Sequence, residues 1–250
     1  MITKPDTRLA AVLHPSPNIE PRRNRARPDI LLLHYTGMAS CAKAIAWLAD
    51  PQSRVSCHYV IDVDGAITQM VAEDMRAWHA GAGSWAGDTD VNSRSIGIEI
   101  HNPGHDLGYP DFPAAQMRSV TALCRDIIER WSIDKRRVLA HSDTAPARKN
   151  DPGEKFDWKG LAAEGVGHWV EPAPIDTTGA QDVGPLTPEQ MTRAQQRLAD
   201  YGYGLPVTGI VDATTSTVLR AFQRHFRPAR VDGQLDSSTF ETLERLVASR

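Results

Sequence analysis

Between Glu171 and Thr187 the chain reads EPAPIDTTGAQDVGPLT, with three prolines, two glycines and almost no large apolar side chain. Proline withholds a backbone donor and glycine loses much entropy on ordering, so neither helix nor strand is expected to run through this stretch. About 170 residues precede it and about 63 follow, each enough for a core of its own. The expected organisation is a larger domain over 1–170, a linker over 171–187 and a smaller domain over 188–250.

The 250 residues carry 28 Lys+Arg against 31 Asp+Glu, a formal charge of −3, and 41% are apolar. Disorder as the dominant state is excluded by that balance. The longest apolar run, Ala44 to Ala49, has six residues, far below the ~20 of a membrane helix, so no membrane span is expected. Nucleic acid needs a concentrated positive field. The smaller domain has eight arginines against seven acids, so no nucleic-acid partner is expected. The dense basic run Arg22, Arg23, Arg25, Arg27 is interleaved with Pro21, Asn24 and Pro28 and lacks helical period; it reads as a solvated arm leading into the first strand. Cys41, Cys57 and Cys124 are odd in number and form no C-x-x-C pair, which leaves small core hydrophobes. Met1 to Asp6 carries charge with no apolar run of ~7–15 residues behind it, so a cytoplasmic location is expected.

The first region alternates strand and helix signals, an α/β pattern with a mixed sheet flanked by helices. Asp29–His34 is a short apolar run after Pro28 and reads as a strand buried on both faces. Ala42–Leu48 reads as helix. Cys57–Ile61 and Ala66–Val71 flank Asp64-Gly65, the dipeptide favoured in a two-residue hairpin turn. In Ser95–His101, Ile96, Ile98 and Ile100 share one face, which places Glu99 on the other. Pro113–Trp131 carries Met117, Val120, Cys124, Ile127 and Trp131 at helical spacing. Arg137–His141 is another short strand. His34 and His141 thus stand at carboxyl ends of strands, where ligands of open α/β sheets gather.

The second region repeats itself and reads as a small all-α domain. Val207-Thr-Gly209-Ile-Val211-Asp212 recurs 24 residues later as Val231-Asp-Gly233-Gln-Leu235-Asp236, each copy followed by a helical pattern. In each copy glycine makes a turn, an apolar residue plugs inward and the aspartate N-caps the next helix. With a helix over Pro188–Leu198 this makes three helices. The module is expected to hold the larger domain near its substrate through the linker; the alternative is a module that docks on the first domain and stiffens it.

Nine histidines are present, but no HExxH, no Cys-His finger spacing, no G-x-S-x-G elbow and no Walker loop. What remains is His34, Glu99 and His141-Ser-Asp-Thr-Ala-Pro-Ala-Arg-Lys149-Asn-Asp151, where lysine and aspartate follow the histidine by eight and ten residues. Two imidazoles and one carboxylate suit Zn²⁺ with a fourth position open for catalysis. Spacing alone leaves open which histidines converge, and Asp143 competes with Asp151.

Five ordered blocks, LLLHYT around His34, SCHYVID at 56–62, WHAG at 78–81, SIGIEIHN around Glu99 and VLAHSDTAPARKNDPG from Val138, span about 130 residues. They resemble the type 2 N-acetylmuramoyl-L-alanine amidases, relatives of the peptidoglycan recognition proteins. The repeat and Ala221-Phe222-Gln223 resemble the three-helix peptidoglycan-binding module. The resemblance implies hydrolysis of the amide between N-acetylmuramic acid and L-alanine in peptidoglycan or muropeptides; separately, a monomer is expected. It implies zinc ligands His34, His141 and Asp151, Glu99 as general base and Lys149 as oxyanion stabiliser. It also implies substrate contacts from Tyr35, Trp78, His79, Asn102 and Arg148. A non-catalytic peptidoglycan-binding or sensor protein on the same scaffold is the alternative; such members tend to lose a ligand or the base, and neither is lost here. Tyr35-Thr36 resembles the branch that also cleaves intact wall fragments, while the absent export signal points to cytoplasmic recycling.

Overall fold

The computed structural model of the chain describes residues 2–9, 11–175 and 187–249. Its strands are β1 (Ala11–Leu13), β2 (Ile19–Pro21), β3 (Ile30–Tyr35), β4 (Tyr59–Ile61), β5 (Ile67–Gln69), β6 (Met75–Ala77), β7 (Ser95–Ile100) and β8 (Val138–Ala140). The helices of the first region are α1 (Cys41–Ala49), α2 (Val91–Arg94), α3 (Ala114–Trp131), α4 (His141–Thr144) and α5 (Trp158–Ala163). Three more follow, α6 (Pro188–Tyr201), α7 (Ala213–Phe226) and α8 (Ser237–Ala248). No helix among the described residues is long and apolar enough to cross a membrane.

Six strands form one mixed sheet in the order β1-β5-β4-β7-β3-β8, with β4 and β5 antiparallel and the other pairs parallel. β2 and β6 pair separately. The period of two divides β3 between two cores. Leu31 and Leu33 pack with Ile96, Ile98 and Ile100 under Val120, Leu123, Cys124 and Ile127 of α3. Ile30 and Leu32 face the opposite way, into a core shared with α6–α8. The β3–β7 register sets His34 directly beside Glu99, so the polar face emerges at the carboxyl ends of the two strands.

Two local readings are corrected. The β4–β5 hairpin forms, but its loop has three residues: Gly65 N donates to Asp62 O and Asp62 N donates to Ala66 O, both at 2.9 Å. Gly65 takes φ +89°, the left-handed position of a bulged loop rather than of a two-residue turn. Arg22 is not solvated. It is 7% exposed, and its guanidinium donates to the carbonyls of Glu73, Asn92, Ser93 and Ser95 at 2.7 to 3.2 Å. Burial pulls its pKa down to about 10. The remaining arginines of the run, Arg23, Arg25 and Arg27, are exposed as expected.

The repeat is built on a duplicated glutamine. Gln195 Oε1 accepts from Thr208 N and Gly209 N while Nε2 donates to Ile210 O and Thr215 Oγ1. Gln223 does the same with Asp232 N, Gly233 N, Gln234 O and Thr239 Oγ1. Each amide therefore fastens a turn to the following helix, and Asp212 and Asp236 cap α7 and α8 as expected. The inward plug holds only for the second copy: Leu235 is 8% exposed, whereas Val211 is 51% exposed beside Ile210.

α6–α8 dock on the first region through an interface with an apolar core. Trp85, 2% exposed, lies edge-on to Tyr201 and Tyr203, with ring centroids at 6.0 and 5.0 Å. Met191, Leu198, Phe222 and Phe226 share its core with Ile30, Leu32 and Leu139. His168 bonds Tyr201 Oη and Ser249 Oγ at 2.8 and 2.9 Å. The first residues of the expected linker also pack: Ala173 N donates to Thr242 Oγ1 and its carbonyl accepts from Ser238 Oγ. Residues 176–186 of that segment lie outside the described residues.

Candidate active site

Two strands, a helical turn and a loop bring the site together at the carboxyl end of the sheet. His34 ends the buried part of β3 and Glu99 stands beside it on β7. β8 closes at Ala140, so His141 opens the short α4 turn instead of ending the strand. Asp151 returns from the following loop, whose backbone is pinned where Ser142 N donates to Asp151 O at 3.0 Å. Tyr109 Oη supports the next residue by donating to Pro152 O at 2.8 Å.

His34 Nδ1, His141 Nδ1 and Asp151 Oδ2 form a triangle with edges of 2.9, 3.0 and 3.1 Å. The outer nitrogens fix the tautomers. His141 Nε2 lies 2.9 Å from Ala80 O, which only accepts, so Nε2 carries the proton. Ser95 Oγ donates to Val91 O and therefore accepts from His79 Nε2 at 3.2 Å. His79 Nδ1 is then the acceptor for His34 Nε2 at 3.0 Å. Gly97 makes room for this, because a Cβ there would meet the His79 ring at 2.5 Å. Both Nδ1 lone pairs and a carboxylate oxygen thus face one point with no proton between them, an arrangement that calls for a cation. Tetrahedral zinc with bonds of ~2.0–2.2 Å sets its ligands ~3.3 Å apart, close to these edges, so the donor set fits the ion.

Burial, with His141 beside it, pushes His34 down to about 4, so a proton is a poor substitute for the cation. Glu99 is raised well above the carboxylate norm, by burial first and then by the negative charge of Asp151. Its Oε2 is buried without a hydrogen-bond partner among the described residues. Glu99 and Lys149 line a cavity of about 350 Å³ together with the triangle.

The other expected site residues divide. Tyr35 and Trp78 line the cavity, and the buried Trp78 Nε1 has no partner among the described residues. His79 also reaches the cavity wall, where its ring nitrogens hold His34 and meet Ser95. Asn102 does not line the cavity: its amide donates to Pro110 O and accepts from Gly104 N, so it shapes a loop. Arg148 donates to the carbonyls of Ala80 and Ala82, engaging the 78–82 loop rather than standing free for a carboxylate. Asp143 turns away and bonds His225 and Tyr203, so of the two aspartates it is Asp151 that meets His34 and His141. Met38, Trp47 and Val55 line the cavity and were missed; no motif marks them, and the Trp47 position on an amphipathic helix was the one available signal.

Residues 24–154 match the profile of the N-acetylmuramoyl-L-alanine amidase family. The chain belongs to that family. Residues 187–243 match the profile of a peptidoglycan binding domain. N-acetylmuramoyl-L-alanine amidase AmiD of Escherichia coli is 35% identical over 233 residues, covering 88% of this chain and 83% of its own. Its structure in complex with anhydro-N-acetylmuramic acid-L-Ala-D-gamma-Glu-L-Lys has a TM-score of 0.76 at 34% identity, with 92% of each chain covered. AmpDh3 of Pseudomonas aeruginosa, in complex with anhydromuramic pentapeptide, has a TM-score of 0.77 at 32% identity, covering 100% of this chain and 99% of that one. The 1,6-anhydro-N-acetylmuramyl-L-alanine amidase AmpD of E. coli is 35% identical over 162 residues, 58% of this chain and 86% of its own. The mixed sheet flanked by helices is therefore the amidase fold, as expected from sequence.

Proposed function

We propose that this chain is a zinc-dependent amidase that hydrolyses the bond between the lactyl carbonyl of N-acetylmuramic acid and the nitrogen of L-alanine in peptidoglycan or muropeptides. The observation that carries the reading is the proton-free triangle of His34, His141 and Asp151 beside the unpartnered Glu99 carboxylate. Family membership and the muropeptide complexes of AmiD and AmpDh3 support the substrate class.

His34, His141 and Asp151 would hold the zinc ion, which would supply Lewis acidity toward a carbonyl oxygen and lower the pKa of a water nucleophile. Glu99 takes a proton from the attacking water at Oε2, water oxygen bonds to the lactyl carbon, and the same carboxyl returns the proton to the alanine nitrogen as the C–N bond breaks. The Lys149 ammonium meets the negative charge that develops on the carbonyl oxygen. Tyr35 and Trp78 face the substrate from the cavity wall, and Trp78 Nε1 offers a donor to a substrate oxygen.

The test is mass spectrometry of products from anhydro and non-anhydro muropeptides side by side. Free stem peptide is expected, lost on chelation and restored by zinc. Binding of muropeptide without turnover in the zinc-loaded protein overturns the reading.

A further inference from the structure

The smaller region reaches into the back of the catalytic centre. Asp143 sits two residues beyond His141 in the four-residue α4 turn, with its side chain 0% exposed. Its Oδ2 accepts from Ala140 N at 2.8 Å, closing the start of the turn that carries His141. The same oxygen accepts from His225 Nδ1 of α7 at 2.7 Å, and Oδ1 accepts from Tyr203 Oη at 2.7 Å. Trp158 stacks on the His225 ring with centroids 3.8 Å apart and holds it in place.

We propose that the C-terminal helices are a working part of the amidase centre: Tyr203 and His225 fix the Asp143 carboxylate, and Asp143 fixes the turn that presents His141. Both are positioning residues, since neither touches the cavity. The proposal rests on the zinc reading given above. A buried carboxylate needs several donors. Two of the three that hold Asp143 come from beyond the Glu171–Thr187 break. Without them the buried carboxylate keeps one backbone donor and rotates away. The turn then loosens, and His141 Nδ1 leaves its place 3.0 Å from Asp151 Oδ2. Loss of such an outer partner weakens metal binding about 10–100-fold in other metal sites.

The experiment uses the full chain and measures zinc affinity by competition with a chromogenic chelator, the visible spectrum of the Co²⁺-loaded protein, and kcat and KM on a muropeptide. Tyr203→Phe and His225→Ala are each expected to weaken zinc binding about 10-fold or more, to shift the cobalt bands and to lower kcat more than they raise KM. His225→Asn, which restores a donor near the Nδ1 position, is expected to recover most of the affinity. His168→Gln, at the same interface but remote from Asp143, is expected to lower thermal stability and leave zinc affinity unchanged. Should His225→Ala not fold, Tyr203→Phe carries the test, because it removes a single oxygen. Wild-type zinc affinity and cobalt spectrum in folded Tyr203→Phe overturn the proposal, as does an equal loss of affinity in His168→Gln. A wild-type chain that takes up neither metal overturns the zinc reading itself.

Discussion

Two buried clusters of histidine and aspartate lie on either side of the α4 turn, and they differ in protons. On one side, His34 Nδ1, His141 Nδ1 and Asp151 Oδ2 present three acceptors to one another within 3.1 Å. On the other, Asp143 receives three donors, from Ala140 N, His225 Nδ1 and Tyr203 Oη. Residue type and burial are nearly the same in both. The proton count separates them: the first cluster is short of positive charge and can hold a cation, while the second is complete and can only hold structure.

Substitutions that break the difference rank by effect. Glu99→Gln keeps the triangle and removes the base beside it. Zinc content measured by elemental analysis is expected to stay at wild type, while turnover of muropeptide falls about 10²–10⁴-fold. Asp151→Asn replaces one acceptor with an amide, and loss of zinc together with activity is expected from the same two assays. Asp143→Asn strikes the complete cluster, where an amide nitrogen must face a donor; thermal or urea unfolding is expected to show a loss of about 3 kcal/mol.

The smallest effect is one of pH and sharpens the comparison at the interface. Burial, then the charge of Lys135, lowers His168 to about 4 from an ordinary 6.5. The folded chain thus binds fewer protons than the unfolded one between these values. Stability from this group is full above about 6.5 and is lost as pH falls toward about 4. His34 and His58, lowered to about 4 and about 3 by burial, act in the same sense. Differential scanning calorimetry is expected to show a smaller acid-induced drop for His168→Gln than for wild type. After solvent screening the gap is about 2–4 °C, on the order of 1 kcal/mol.

Patterns carried by neighbouring residues were legible in the sequence. The apolar run of β3, the alternation of β7, the helical spacing of α3 and the capping aspartates all stand where their periods place them. His34 near the end of β3 and His141 just past β8 stand close to where the strand patterns put them, and Asp151 is distinguished from Asp143 only by partners that the structure shows. Features decided by distant partners were not legible. Arg22 meets carbonyls 51 to 73 residues away, so its burial leaves no mark in a basic run. Strands β1, β2 and β6 have three residues each, too few for a period to show. Val211 and Leu235 occupy the same place in the repeat, yet only Leu235 finds a core to enter. The docking of α6–α8 depends on Trp85, an aromatic residue in a loop that nothing in its surroundings singles out.

The string of rings behind His34 ends on a backbone oxygen, because Ser95 gives its single hydroxyl hydrogen to Val91 O. It is a mooring line and not a wire. No charge can be shuttled out through the rear of the pocket by that route.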